Sequence, residues 1–191
     1  MGDDSSFLQG MAVAAGWLLN EQVDGCLVVG AEEADWLVAD AARLFNRAAV
    51  QGAGAGAIYF RRDEPTNHAA ELVRITDEFS SSAPGSPANA AREVRAQLLP
   101  GNGNELLCMG THGIARIDAI EDRAWRDWTG AKLAPKRILG EAFTASAAWQ
   151  CVAAGDAVGR GDCAAANVSI FGASRQAIGA RFVRAESIGM K

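Results

Sequence analysis

Apolar side chains at Phe7, Met11, Ala14, Ala15, Leu18 and Leu19 recur at three- and four-residue intervals. That stripe predicts a core-facing helix over Ser5 to Gln22, with Asp4, Ser5 or Ser6 placed to cap its N-terminus. Directly after it, Cys26-Leu-Val-Val-Gly30 is an unbroken apolar run of strand length, the pattern of a strand covered on both faces. Ala34 to Ala48 returns to helical spacing through Trp36, Leu37, Ala41, Leu44 and Phe45. Gly52-Ala-Gly-Ala-Gly56 then opens a strand at Ala57-Ile-Tyr-Phe60, its small residues predicting close backbone packing.

The second half continues the alternation. A strand is predicted over Ala70 to Ile75, a polar loop over Ser80 to Pro87, a helix from Ala88 to Leu99 and a turn at Pro100-Gly-Asn-Gly103. Glu105-Leu-Leu-Cys-Met109 reads as a buried strand ending at Gly110-Thr-His-Gly113. Ile120 to Trp128 reads as a short helix, and Ala142 to Val158 as an alanine-rich helix with Trp149 and Val152 on its apolar face. The tail from Ala164 to Arg184 alternates around Phe171-Gly-Ala-Ser174, a closing hairpin. Repeated strand, helix and strand finishing in a hairpin predict an α/β fold, a mostly parallel sheet with helices on its faces.

Composition narrows the class. With 191 residues, 49% hydrophobic and 21% charged, the chain is globular and of one-domain size. Its 18 Lys+Arg are scattered along the sequence against 23 Asp+Glu, for a net charge of -5, which argues against nucleic acid as a partner. The longest apolar runs, such as Met11 to Leu19, are too short to span a bilayer, and the N-terminus Met-Gly-Asp-Asp-Ser-Ser lacks the positive region of a signal peptide. No membrane association and a cytoplasmic location are expected. Cys26, Cys108, Cys151 and Cys163 lie far apart inside apolar segments, as buried reduced thiols do. His68 and His112 are the only histidines, neither at ligand spacing from a cysteine, so no metal is expected.

Five short segments remain to be placed. Val28-Val-Gly-Ala-Glu32 closes the first strand, and Gly52-Ala-Gly-Ala-Gly-Ala57 opens the next. Met109-Gly-Thr111 ends a strand, with Asp118 and Glu121 downstream of it. Lys136-Arg-Ile-Leu-Gly-Glu141 precedes Ala145-Ser-Ala147, and Asn167-Val-Ser-Ile-Phe-Gly-Ala173 lies in the closing hairpin. In this order and at these spacings the set resembles the C-terminal portion of the β-ketoacyl synthases, the condensing enzymes of the thiolase fold. Their Gly-Gly-x-Glu turn, Gly-Glu-Gly-Ala segment, His-Gly-Thr loop, Lys-x-x-x-Gly-His motif and Asn-x-Phe-Gly-Phe-Gly-Gly loop are the counterparts. The resemblance implies a thiolase-like fold, mostly parallel five-stranded sheets with helices on both faces, and no cofactor.

Condensation in that family needs a cysteine thiolate at a helix N-terminus, where the anion is favoured, and two histidines that stabilise the developing enolate. The resemblance places the nucleophile at Asp4 or the neighbouring Ser5, and the histidines at Met109 and Glu141. Neither replacement donates a hydrogen bond as imidazole does, and an ionised Glu141 would repel a malonyl carboxylate. Of the catalytic set only Lys136 is retained. His112, three residues beyond Met109, is the candidate to swing into the vacant place. Plainer readings stand beside these: Lys136 as a partly exposed surface lysine, His112 as a solvated loop residue, Glu141 as a cap on the helix that follows it, and Asp118 with Glu121 as a solvated helix start. Phe171 and Gly172 match the family's gating loop and are the candidate substrate-binding positions.

The resemblance also implies that residues 1–62 are the last helix and strands of the first thiolase half and residues 63–191 the second half. Either a separate chain then supplies what precedes, or Met1 is not the natural start. The reading favoured is a non-catalytic subunit similar to a chain-length factor, paired with an active ketosynthase and served by an acyl carrier protein in fatty-acid, polyketide or aryl-polyene assembly. The alternatives are a diverged acyl-thioester transferase or hydrolase working through Ser5, His112 or Glu141, and a structural assembly protein.

Overall fold

A computed structural model describes residues 4–45, 50–63, 69–80, 86–98, 104–172 and 176–185. The predicted turn at Pro100 to Gly103, most of the Ser80 to Pro87 loop, His68 and the hairpin tip beyond Gly172 lie outside them. The elements in chain order are α1 (Ser6–Leu19), β1 (Gly25–Glu32), α2 (Trp36–Phe45), β2 (Gly54–Arg61), β3 (Ala70–Ile75), β4 (Phe79–Ser80) and α3 (Ser86–Gln97). They continue with β5 (Glu105–Cys108), α4 (Ala115–Ala124), β6 (Ala131–Leu133), α5 (Lys136–Leu139), α6 (Phe143–Arg160), β7 (Ala165–Phe171) and β8 (Gln176–Arg184).

The expected α/β fold is present, as four layers. β1 and β2 form an antiparallel ribbon, α1 and α6 pack beneath it, a sheet ordered β3-β8-β7-β5-β6 follows, and α3 and α4 cover its far face. That sheet is mixed where a mostly parallel one was expected. β5 runs parallel to β6 and β7, but β8 is antiparallel to β7, β3 and the two-residue β4. The closing hairpin reverses the chain, and β3 joins that reversed strand at the sheet edge instead of entering a βαβ crossover. β4 also makes the sheet six-stranded instead of five-stranded.

Sequestration on both faces explains why every residue of β7 is buried. Ala166, Val168 and Ile170 join Phe7, Leu8, Met11, Ala147, Ala148 and Cys151 in one core cluster. On the other side Phe171, Ala177, Leu107 and Met109 join Val94, Leu98 and Trp125 in a second. The small residues of α6 let the ribbon approach it closely. A Cβ on Gly30 would lie 2.7 Å from the Thr144 carbonyl oxygen, and one on Gly56 2.8 Å from Ala148.

Three local expectations are corrected. Ser5 stands at the cap position of α1 but does not cap it through its side chain, because its hydroxyl donates to Gln176 Oε1 at 3.1 Å, and Asp4 before it pairs with Lys136. The short helix begins at Ala115 and ends at Ala124, so Trp125 and Trp128 follow it in a turn. Their apolar rings mimic helical periodicity because Trp125 is a core residue and Trp128 meets it edge-on, with ring centroids 5.6 Å apart. Cys26 is half-buried, while Cys108, Cys151 and Cys163 are buried, and all four are free thiols.

The outer face of the ribbon has no cover among the described residues. Leu27, Val29 and Tyr59 are 59%, 55% and 63% exposed, and Trp36 and Leu37 of α2 are exposed beside them in sequence. Among the described helices none is long and apolar enough to cross a membrane.

Candidate functional site

Four chain segments meet where β5 and β7 end: the first residues before α1, the loop after β5, the turn of α5, and the start of α6. They bring Asp4, His112, Lys136 and Glu141 together, all buried. The Lys136 ammonium donates to Asp4 Oδ2 at 2.7 Å and to Glu141 Oε2 at 2.8 Å. His112 Nδ1 lies 2.6 Å from that same Glu141 oxygen, and its Nε2 lies 2.6 Å from the Phe171 carbonyl oxygen and 4.0 Å from Asp4 Oδ2.

These contacts assign protons. A carbonyl oxygen only accepts, and Glu141, held ionised by His112 and Lys136, accepts as well, so both imidazole nitrogens donate. His112 is therefore an imidazolium. Burial works against its charge, but the hydrogen bond to Glu141 and the charges of Glu141 and Asp4 outweigh burial and the nearby Lys136, raising its pKa above the ordinary 6.5. Burial likewise opposes the charge on Glu141, yet His112 and Lys136 pull its pKa down to about 2. For Lys136, burial is outweighed by Asp4 and Glu141, and its pKa is raised above 10.5. Two cations and two anions close on one another with no net charge, the condition under which buried ions are tolerated.

The loop that carries His112 is fixed from α4. The backbone N–H of His112 donates to Asp118 Oδ1 at 2.7 Å, and that of Gly110 donates to Glu121 Oε1 at 3.1 Å. Burial raises the Glu121 pKa against the pull of Ser169 and Gly110. Gly113, at φ 76°, takes the left-handed turn that returns the loop to the helix. The reading of Asp118 and Glu121 as a solvated helix start is thus overturned for Glu121, which is 1% exposed. Their spacing of three, continued by Trp125, was the available signal: one stripe of α4 faces the loop and the end of β7, where Trp125 Nε1 donates to Ser169 Oγ at 3.1 Å.

The other candidates separate into those drawn into the cluster and those left out. Lys136 is buried and doubly paired instead of partly exposed, and His112 is buried instead of solvated. Glu141 does accept from the N–H of Phe143, the first residue of α6, at 2.9 Å, while its other oxygen serves Lys136 and His112. Phe143 itself sits at φ 42°, a strained conformation for a residue with a side chain, next to the charged cluster. Met109 is not in the cluster: its side chain belongs to the second core and its N–H donates to the Leu133 carbonyl at 2.8 Å. Phe171 contributes its carbonyl to His112 and its ring to the core, and the Gly172 N–H donates to the Gln176 carbonyl at 2.8 Å.

Donor atoms of Asp4, His112 and Glu141 lie within 4.8 Å of one another, a spacing a metal ion can use. The expectation of no metal rested on spacing along the sequence, which does not see this grouping. The Lys136 ammonium already supplies a cation between the two carboxylates.

No protein-family model and no curated protein matches the sequence. Solved structures do. A β-ketoacyl synthase from Burkholderia phymatum STM815 superposes with a TM-score of 0.80 at 15% identity, over 97% of this chain and 60% of its own. A type II polyketide ketosynthase, solved with its acyl-carrier protein and bound to the hexaketide, gives 0.73 at 16% identity, over 95% and 57%. The ishigamide ketosynthase/chain length factor gives 0.70 at 16% identity, over 91% and 57%. At 15 to 16% identity the fold is what is shared: this chain has the thiolase-like α/β fold of the ketosynthases, over 57 to 60% of the length of these three.

Proposed function

We propose that the chain is a non-catalytic, chain-length-factor-like subunit of a ketosynthase system that builds acyl chains in a fatty-acid, polyketide or aryl-polyene type pathway. The observation that carries this is Asp4. At the start of α1, where the family resemblance puts the condensing thiol, stands a carboxylate committed to Lys136 at 2.7 Å. A carboxylate so held is a poor acyl acceptor, and the charge-balanced cluster around it holds neither a thiolate nor a neutral imidazole. Ser5 does not replace it, since its hydroxyl donates to Gln176 instead of to a base.

The proposed partners are an active ketosynthase and an acyl carrier protein. The proposed location is the cytoplasm. Support for a protein partner comes from the apolar outer face of the ribbon, since patches of this kind mark surfaces that another protein covers. Residues 1–62 and 63–191 are proposed to belong to the two halves of the thiolase fold.

The test supplies the purified chain with malonyl- and acyl-loaded carrier protein, with and without a ketosynthase that co-purifies from the native host, and follows products by mass spectrometry. No condensation is expected from the chain alone, and a changed product length is expected when it joins the ketosynthase. Condensation by the chain alone, abolished by Asp4→Asn, overturns the reading.

A further inference from the structure

Basic residues that are scattered along the sequence are gathered by the fold. α3 and α4 pack side by side on the outer face of the large sheet, and between them runs a half-open groove of about 550 Å³. Arg92 and Arg95 of α3 line one wall, and Arg123 and Arg126, at and just beyond the end of α4, line the other. The floor is Ala88, Ile120 and Ala124, and Asp127 is the single acidic residue in the lining. A chain of net charge -5 thus carries one groove with an excess of three positive charges.

The two walls differ in what they offer. Arg95 is held in place: it donates to the Ala124 carbonyl at 2.6 Å, pairs with both oxygens of Asp127, and lies over the Trp125 ring at 5.2 Å. Arg92 is held on Ala88 and Asn89 of its own helix. No ion pair joins Arg123 or Arg126 to a carboxylate among the described residues. Arg92 and Arg95 stand three residues apart on α3, one helical turn, while Arg126 follows Arg123 in the turn beyond the end of α4. A small anion is gripped by donors converging on one point, whereas these are spread along two sides of an apolar floor.

We propose that this groove docks an acidic amphipathic helix of a partner protein, its apolar side on Ala88, Ile120 and Ala124 and its carboxylates on the arginine walls. Carboxylates at i and i+3 or i+4 on such a helix match the spacing of Arg92 and Arg95 on α3, those on its other side meet Arg123 and Arg126, and the arrangement is a helix laid in a groove with charges setting its direction.

Fluorescence anisotropy with the full chain provides the test. The probe is a labelled 16-residue helical peptide with leucines on one face and glutamates flanking them. Arg123→Glu with Arg126→Glu is expected to weaken binding at least tenfold, and raising salt from 50 to 500 mM to weaken it similarly, as screening of exposed charges demands. Arg160→Glu, at a distant exposed site, is expected to change binding less than twofold. Circular dichroism confirms the fold, and Arg123→Ala serves if charge reversal unfolds the chain. Three outcomes overturn the proposal: equal binding of a scrambled peptide of the same charge, competition by millimolar pyrophosphate as effective as by unlabelled peptide, or tighter binding of a single-stranded DNA of equal net charge.

Discussion

Lys136→Met is the most direct probe of the buried centre. It removes the one group that bridges Asp4 at 2.7 Å and Glu141 at 2.8 Å, while a thioether of similar length fills the space. His112 remains, 2.6 Å from Glu141 but 4.0 Å from Asp4, so one buried carboxylate loses its close cation. Removing one partner of a buried ion pair costs about 3–5 kcal/mol. For a chain of this size each kcal/mol moves the midpoint by about 2–4 °C, so a fall of roughly 6–20 °C is expected. Thermal and urea unfolding followed by circular dichroism at pH 7 and pH 4 measure it.

The sign of the pH effect is fixed by Glu141. Its pKa in the fold is about 2 against an ordinary 4.5, so its stabilising contribution is complete above 4.5 and is lost as the pH falls toward 2. Without Lys136 the Glu141 carboxyl takes up its proton at higher pH, and the deficit relative to the parent shrinks from pH 7 to pH 4. Adding Asp4→Asn to the variant is expected to return about 2 kcal/mol, since the carboxylate that lost the Lys136 ammonium is then a neutral amide. A deficit below about 1 kcal/mol, or one identical at both pH values, refutes the reasoning and assigns the loss to packing.

Three further outcomes follow from the same geometry. In a nitrogen-detected NMR spectrum at pH 7 both ring nitrogens of His112 are expected to be protonated, with a pKa above 6.5; stability tied to this group is full below 6.5 and falls as pH rises through the folded value, and an unprotonated ring nitrogen at pH 6 contradicts the assignment. Alkylation at pH 8 read by mass spectrometry is expected to label half-buried Cys26 in the native chain and to spare Cys108, whose pKa burial and then Cys163 push up to about 12, and Cys151, raised well above 9 by burial; labelling of Cys151 before unfolding counts against the packing of α6. Gly30→Ala forces a Cβ to 2.7 Å from the Thr144 carbonyl oxygen and is expected to cost about 1–3 kcal/mol in urea unfolding, whereas Gly16→Ala, with open space around its Cβ in α1, is expected to stabilise by about 0.5–1 kcal/mol; equal effects at the two sites contradict the ribbon-to-α6 contact.

Periodicity carried most of the secondary structure because it is local. The stripe through Phe7, Met11 and Leu18 becomes the buried face of α1, and the apolar run at Cys26 to Gly30 becomes β1, but with Leu27 and Val29 exposed on one face where cover on both was expected, because among the described residues β1 pairs only with β2 in a two-stranded ribbon. It misplaced α4 because Trp125 and Trp128 continue an apolar pattern past the point where the backbone turns. Ordered motifs pointed to Lys136, Glu141 and the start of α1, but not to the state of those groups. Lys136 and Asp4 stand 132 residues apart, and whether a lysine is a surface charge or a buried tie depends on which carboxylate the fold sets beside it. The same holds for His112, read as solvated from its loop and made a cation by a carbonyl of β7 and a carboxylate before α6. Spacing along a chain records which face of an element is apolar, since burial repeats with the element's own period. Charge pairing in a low-dielectric interior has no such period: it is decided by the nearest group in space, which here arrives from another strand, another helix or the first turn of the chain.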